Sequence, residues 1–333
     1  MVLSQDGMGE AGQQGVEISV IVIAYTRRKF IEPCLLSVLN QDFDRDRFEI
    51  ILVKNFIDPQ FDAEFSKKGV IIINSTERGG IYRKVYEGGV QRARGGEVIC
   101  FLEDDDEFLP EKLKLVHQEF LDAELCYLHN NLVPVDENGN RVAFTEITRA
   151  FNNSSISVRK KCINWELFRQ IDIATSMDIL LYLSALDSGG RIREIDKPLT
   201  LYRVHAMSDS NSKIYADFDS YCRNEIGKNR ESVALYEKVL PSFRDRRVRE
   251  AIVSRIQGAK FKLRLYGEPV DVGLPEMFYT ILVPIDPLGG ESLRLRLFRI
   301  KYSLASMMPK PVRQFAVRKM YRDLQKLVRI KST

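Results

Sequence analysis

Five consecutive acidic residues, Glu103-Asp104-Asp105-Asp106-Glu107, follow directly on the apolar run Val98-Ile-Cys-Phe-Leu102. Alone, such a row would be a solvated turn. Here Phe108-Leu-Pro110 closes it on the other side, which crowds the carboxylates at the end of a strand. Carboxylates held close together take up a cation, and hard oxygen ligands suit Mg²⁺ or Mn²⁺. Mg²⁺ is held by one or two carboxylates plus substrate phosphates, so the cluster points to a diphosphate-bearing substrate. Asp178 opens an apolar helical stretch, where it is either a carboxylate favoured by the helix dipole or a general base. His205 follows Tyr202-Arg203 and precedes Ser208, which suits a structural histidine and a metal or diphosphate ligand equally. Arg203 fits a phosphate or a carboxylate partner. Arg83 and Lys84 meet the substrate or line an exposed helix face. Trp165, the single tryptophan, packs in the core or stacks on a sugar.

The elements that must position these groups read as an α/β domain. Ile18 to Ala24 is a β-branched run without alternation, as in a strand buried on both faces of a parallel sheet. Phe30 to Leu39 carries apolar residues at helical spacing. Strands follow at Phe48 to Val53, Val70 to Ile73 and Glu97 to Leu102, with a helix over Arg83 to Arg94. Such alternation with short connections predicts a mostly parallel, doubly wound sheet, which binds ligands at the carboxyl ends of its strands. Tyr25 and Thr26 stand at one such end and the acidic cluster at another. A helix over Pro110 to Leu121 comes next. Strands over Tyr127 to Val135 and Arg141 to Phe144 flank a turn, and a helix over Met177 to Leu186 is closed by Gly189-Gly190. Lys213 to Tyr266 is helical and charge-rich, and Gly267 to Gly290 reads as a loop or linker.

At this point the chain resembles a known family. Phe101-Leu-Glu-Asp-Asp-Asp-Glu-Phe-Leu-Pro110 is similar to the FLDxDDxxxP segment of family 2 glycosyltransferases with the GT-A fold. Glu103 and Asp105 fall on the DxD motif, with Glu where Asp is usual, and Asp106 on the acidic residue after it. Ile18 to Tyr25 resembles the first strand, whose backbone meets the nucleotide, and Ile31 to Gln41 the helix after it. The second strand resembles Glu49 to Val53, but Lys54-Asn55 replace the acidic residues that usually contact the base. Met177-Asp178 falls on the Glu-Asp pair that carries the base, and Tyr202-Arg-Val-His-Ala-Met-Ser208 on the YRxHxxS segment that closes over the diphosphate. The resemblance covers roughly residues 18–212 and implies an inverting hexosyltransferase that uses a nucleotide-sugar donor, with UDP favoured. It implies Asp178 as base, a metal at Glu103, Asp105 and His205, and donor contacts from Ala24, Tyr25, Thr26, Asn55, Lys84, Glu103, Asp104 and Arg203. The implied division is a disordered tail 1–16, a GT-A domain 17–212, a helical appendage and linker 213–290, and basic amphipathic helices 291–333.

Composition bounds the rest. The chain has 333 residues and a formal net charge of only +4, but between Glu291 and Thr333 only Glu291 and Asp323 are acidic among many Lys and Arg. A basic tail attracts phosphates, on lipid or on nucleic acid. Leu293, Leu297, Ile300, Leu304 and Met308 would share one helix face there, and Ala316, Met320, Leu324 and Leu327 another. Either stripe suits packing on the main domain or adsorption to an anionic membrane, where a lipid-linked acceptor would lie. The five cysteines lack a CxxC pair. Cys34, Cys100 and Cys126 sit in apolar surroundings, which suits a reducing, cytoplasmic setting, with peripheral membrane contact as an option. Two other readings remain in view. A sugar nucleotidyltransferase would carry a glycine-rich loop after the first strand, where this chain has Tyr25-Thr-Arg-Arg-Lys29. A nucleic-acid-binding module would show more aromatics in the basic tail.

Overall fold

The computed structural model describes residues 16–25, 28–75, 80–93, 95–142, 152–171, 176–205, 215, 217–288, 291 and 293–331. Most of the expected tail, Thr26 and residues 206–214 lie outside them. An eight-stranded sheet organises the domain, in the order β3-β2-β1-β4-β7-β6-β8-β5. The strands β1 (Ile18–Ala24), β2 (Phe48–Lys54), β3 (Val70–Asn74) and β4 (Val98–Glu103) form its parallel half. β1 is buried throughout because it lies between two parallel neighbours with helices on both faces.

On one face, the side chains of Val20, Val22 and Leu52 pack with α1 (Arg28–Leu39), α2 (Pro59–Lys67) and α4 (Lys112–Phe120). On the other, Ile21, Ile23, Val53 and Phe101 pack with α3 (Ile81–Tyr86), α5 (Trp165–Gln170) and α6 (Met177–Asp187). The alternation of strand residues between these two clusters follows from the two-residue period of a strand.

The second half of the sheet is mixed. β5 (Glu107–Phe108) and β7 (Ile156–Arg159) run antiparallel to their neighbours, while β6 (Leu125–Val135) and β8 (Arg191–Arg203) pair in parallel. β8 has no counterpart in the sequence reading. Its charged residues and Pro198 hide it, and Pro198 is tolerated because it faces Asn131, where the register with β6 shifts. Of the strand expected over Arg141 to Phe144, an isolated bridge from Arg141 to Val135 is described.

The expected helix over Arg83 to Arg94 starts earlier and becomes a π-helical turn at Glu87–Arg92. A side chain on Gly89 there would meet the Trp165 ring at 2.1 Å, and one on Gly88 would meet Ile21 at 2.9 Å. The backbone therefore lies directly on the core. Trp165 fills it from the other side and donates its indole N–H to the Lys160 carbonyl at 3.2 Å. The tryptophan thus packs, half-buried, on the core.

Beyond the sheet, α7 (Phe218–Val239) and α8 (Arg246–Leu265) form a helical pair. The segment read as a loop holds α9 (Leu274–Leu282). Its Gly and Pro are a helix start: Pro275 sits in the first turn and Glu276 accepts the Gly273 N–H at 2.9 Å. α10 (Leu293–Ser306) and α11 (Lys310–Lys331) follow. Val317, with Ala316 and Met320, packs against Tyr221 and Leu265, so this stripe turns to the body of the protein. Among the described residues no helix is long and apolar enough to cross a membrane.

One cysteine expectation changes. Cys126 and Cys162 form a disulfide, while Cys34, Cys100 and Cys222 are free. The β6–β7 pairing, Tyr127 opposite Val158, brings together two residues with no local sequence signal for a bridge.

Candidate donor and metal site

The register of the sheet places the candidate residues on one edge. Ile23 lies opposite Glu103, and Ala24 opposite Lys54. Val135 lies opposite Arg203 in the β6–β8 ladder, so the end of β8 reaches the same edge. The carboxylates of the acidic run then divide among several neighbours. Glu103 accepts the Asn153 side-chain amide at 2.5 Å, and its backbone N–H donates to the Ser154 hydroxyl at 3.0 Å. Asp104 is buried and accepts the Tyr25 backbone N–H at 2.8 Å, tying the ends of β1 and β4 together. The Asp105 carboxylate meets His205 Nε2 at 2.9 Å, with both side chains buried. Asp106 is buried and accepts the Arg203 backbone N–H at 2.9 Å.

This crowding has an electrostatic consequence. Burial first, and then the charges of Asp105 and Glu103, push the Asp106 carboxyl well above the usual carboxylate range. Its second oxygen is buried and has no hydrogen-bond partner among the described residues. A cation beside Asp105 would relieve that repulsion. Asp105 and His205 supply one oxygen and one nitrogen ligand, a donor set that suits Mg²⁺ or Mn²⁺ once phosphate oxygens join it. Among the described residues no three His, Cys, Asp or Glu side chains converge to hold a metal by themselves. Glu103, expected as a ligand, is turned toward Asn153 in this arrangement.

Arg203, read as a partner for a phosphate or a carboxylate, is engaged by the protein's own groups. Its guanidinium donates to the carbonyls of Asp105 (3.0 Å), Asp136 (3.0 Å) and Glu137 (3.2 Å) and pairs with Glu107. Phe30 lies 5.0 Å from this group and 5.0 Å from the His205 ring. The arginine thus clamps the acidic loop, and the phenylalanine wedges both side chains in place. Replacing Arg203 with Met is expected to lower stability by about 3–5 kcal/mol, since it strands a carboxylate and three carbonyls. Lys should not restore it, because only the planar fork reaches all of them. Urea denaturation of both variants checks this.

Lys84 is buried rather than on an exposed face, with its ammonium 4.2 Å from the Tyr25 ring centre. Burial lowers its pKa, opposed by the charges of Glu87 and Asp104, so it stands beside the acidic edge. Arg83 pairs with Glu87 at 2.9 Å. Asn55 is exposed beside a cavity of about 160 Å³ at the ends of β2 and β3, lined also by Phe56, Ile57, Asn74 and Ser75. Lys54 is fully buried beneath it and paired with Asp62 at 3.0 Å.

Asp178 is the second residue of α6. It follows Ser176, the non-glycine residue with positive φ (67°) among those described. Backbone strain of this kind gathers at functional sites. Its carboxylate accepts the Ile179 N–H at 2.7 Å. Burial raises its pKa to about 6, against the lowering effect of that hydrogen bond and of Arg255 on α8. Arg255 is held by the Ile285 carbonyl at 3.1 Å, so the helical region bears on the ionisation of this aspartate.

Sequence reasoning missed a polar layer beneath the edge. Lys112 is buried and donates to Ser154 O at 2.6 Å and Asn130 Oδ1 at 3.0 Å, fixing the turn Asn153–Ser155 that carries the partners of Glu103. Burial brings its pKa down to about 8. The signal was faint: a Lys at an inward position of an apolar helix.

Residues 19–173 match the model of glycosyl transferase family 2. This segment is a family 2 glycosyltransferase domain. Solved glycosyltransferases share the fold over nearly the whole length of the chain. TarS 1–349 of S. aureus, in complex with UDP-GlcNAc, is 17% identical over 92% of each chain, with a TM-score of 0.57. The mannosyltransferase PcManGT of Pyrobaculum calidifontis, in complex with GDP-Man and Mn²⁺, is 14% identical over 94% of this chain and 86% of its own, with a TM-score of 0.52. No protein of curated function matches the sequence. The helices after residue 217 thus lie outside the segment that the family model matches.

Proposed function

We propose that the chain transfers a hexose, with inversion, from a nucleotide-diphosphate donor to a hydroxyl of a saccharide or lipid-linked acceptor. The observation that carries this is the buried Asp105–His205 pair, 2.9 Å apart at the carboxyl edge of the sheet. In this reading Tyr25 and Ala24 bound the nucleoside, and Asn55 with Asn74 and Ser75 offers side-chain amides and a hydroxyl to the base. Their cavity has no carboxylate among its lining residues, unlike the acidic pocket usual in the family; Lys54 lines it from below, paired with Asp62, and a UDP-sugar remains the favoured donor. Lys84 lies where it would balance donor charge. A divalent Mg²⁺ or Mn²⁺ held by Asp105 and His205, with Glu103 in reach, would supply Lewis-acid stabilisation of the departing diphosphate.

The remaining steps belong to the chain. Asp178 accepts the proton of the acceptor hydroxyl as that oxygen forms its bond to the anomeric carbon. The bond from that carbon to the diphosphate oxygen breaks on the opposite side, which inverts the configuration. The nucleoside diphosphate leaves with the electron pair. Incubating the purified chain with a panel of nucleotide sugars, with and without Mn²⁺, tests this. One donor should release its nucleoside diphosphate, and EDTA should stop the release. Full release in EDTA would remove the metal from the proposal.

A further inference from the structure

α10 rests on the body partly through polar groups. Its fully buried residues are Arg299, Ser303 and Ser306, while Tyr302 and Ala305 pack half-buried against the Tyr221 and Leu265 cluster. Arg299 is locked by two bonds to Glu291 (2.6 and 2.9 Å), one to the Ser254 hydroxyl (2.9 Å) and one to the Val283 carbonyl (3.2 Å). The opposite face carries Leu293, Leu297 and Leu304, which are 73%, 56% and 43% exposed, and Met308 beyond the helix end. Helices of a soluble domain normally turn such a stripe to the core. The neighbouring α9 does the same with Leu274, Phe278 and Leu282, all more than half exposed at a spacing of four residues. The two helices are joined where Arg296 donates to the Ile281 carbonyl at 3.1 Å, next to Leu282 and Leu297. Arg294, Lys301 and Lys310 flank the α10 stripe and are exposed, and the acidic residue nearest in sequence, Glu291, is already paired with Arg299.

We infer that the α9–α10 face lies in the interface of an anionic bilayer. Charge complementarity selects this occupant: a stripe of leucines bordered by cations that have no ion pair among the described residues is the pattern of a helix lying in the headgroup plane. The leucines would enter the acyl boundary, and the arginines and lysines would meet lipid phosphates. α11 contributes through its exposed Val312 and Phe315, while its Val317 side stays on the body. This docking does not depend on the transfer reaction, so either can fail alone.

Flotation of the full chain with vesicles tests it. Phosphatidylcholine vesicles containing phosphatidylglycerol should carry the protein, and phosphatidylcholine alone should not. Each cation near an anionic surface contributes about fivefold to partitioning. The triple variant Arg294→Gln, Lys301→Gln, Lys310→Gln should therefore bind on the order of a hundredfold more weakly. Leu293→Asp with Leu297→Asp should abolish flotation and leave thermal unfolding unchanged, because neither side chain packs inside. Equal binding to neutral vesicles, or full binding by the leucine variant, would overturn the inference. So would a dimer in light scattering that the leucine variant dissociates while the wild-type chain ignores anionic vesicles, since a second copy would then cover this face.

Discussion

Asp178→Asn should reduce turnover by about 100- to 10,000-fold, the range that general-base catalysis supplies. Donor affinity should change little, since in the proposed reading the diphosphate is held by a metal at Asp105 and His205 instead. In the wild-type enzyme, turnover should fall as the pH drops through about 6, where Asp178 takes up its proton. The same shift carries a stability prediction of a definite sign. An unfolded Asp titrates near ~3.9, below its folded value of about 6. Between the two the folded state binds more protons, so stability falls as pH rises through that window. Above it the ionised carboxylate is a standing cost. The Asn variant should therefore melt higher than wild type at neutral pH, and the gain should vanish in acid. A carboxylate that merely starts a helix would behave in the opposite way: its removal would lower the melting point and spare turnover. Turnover and melting curves across pH separate the two roles.

The second large effect concerns Asp105. Asp105→Asn keeps the size of the side chain and a hydrogen bond to His205, but removes the negative charge that would attract a divalent cation. Lewis-acid stabilisation of a leaving group contributes several kcal/mol, so turnover should fall by roughly two to four orders of magnitude. Excess Mn²⁺ should restore part of it if the loss is one of metal affinity. The protein should not unfold, because the removed charge is one of several crowded on that edge and the Asp106 carboxyl is already pushed up partly by it. Calorimetric titration of nucleoside diphosphate, with and without Mn²⁺, is the check. Metal-enhanced binding that survives in the Asn variant would clear Asp105 of this role.

Much of this was legible in the residues themselves. An unbroken β-branched strand such as Ile18–Ala24 has one stable home, between parallel neighbours under two layers of helices. Carboxylates that follow a buried strand must then stand at its carboxyl edge. The β1, β2 and β4 ends and the position of the acidic run are consequences of local pattern plus the two-residue period. The helix Arg28–Leu39 was legible by its apolar stripe, and Met177–Asp187 by its apolar run closed at Gly189-Gly190.

What the sequence could not determine is how each polar group divides its hydrogen bonds, because that depends on partners far away in the chain. Five adjacent carboxylates look alike in sequence. Only the fold gives Asp104 to Tyr25, Asp105 to His205, Asp106 to the Arg203 backbone and Glu103 to Asn153. Arg203 could have met a phosphate or a carboxylate, and with β8 in place three carbonyls and Glu107 engage it. The Cys126–Cys162 bridge and the Lys112 network likewise join segments that only strand pairing brings together. The C-terminal stripes show the limit most clearly. The sequence determined that Leu293–Ser306 and Lys310–Lys331 are amphipathic, since periodicity is a local property. Which side of each helix faces the protein was decided by tertiary packing: Arg299 found Glu291 and Ser254 inside, and the leucines were left outside.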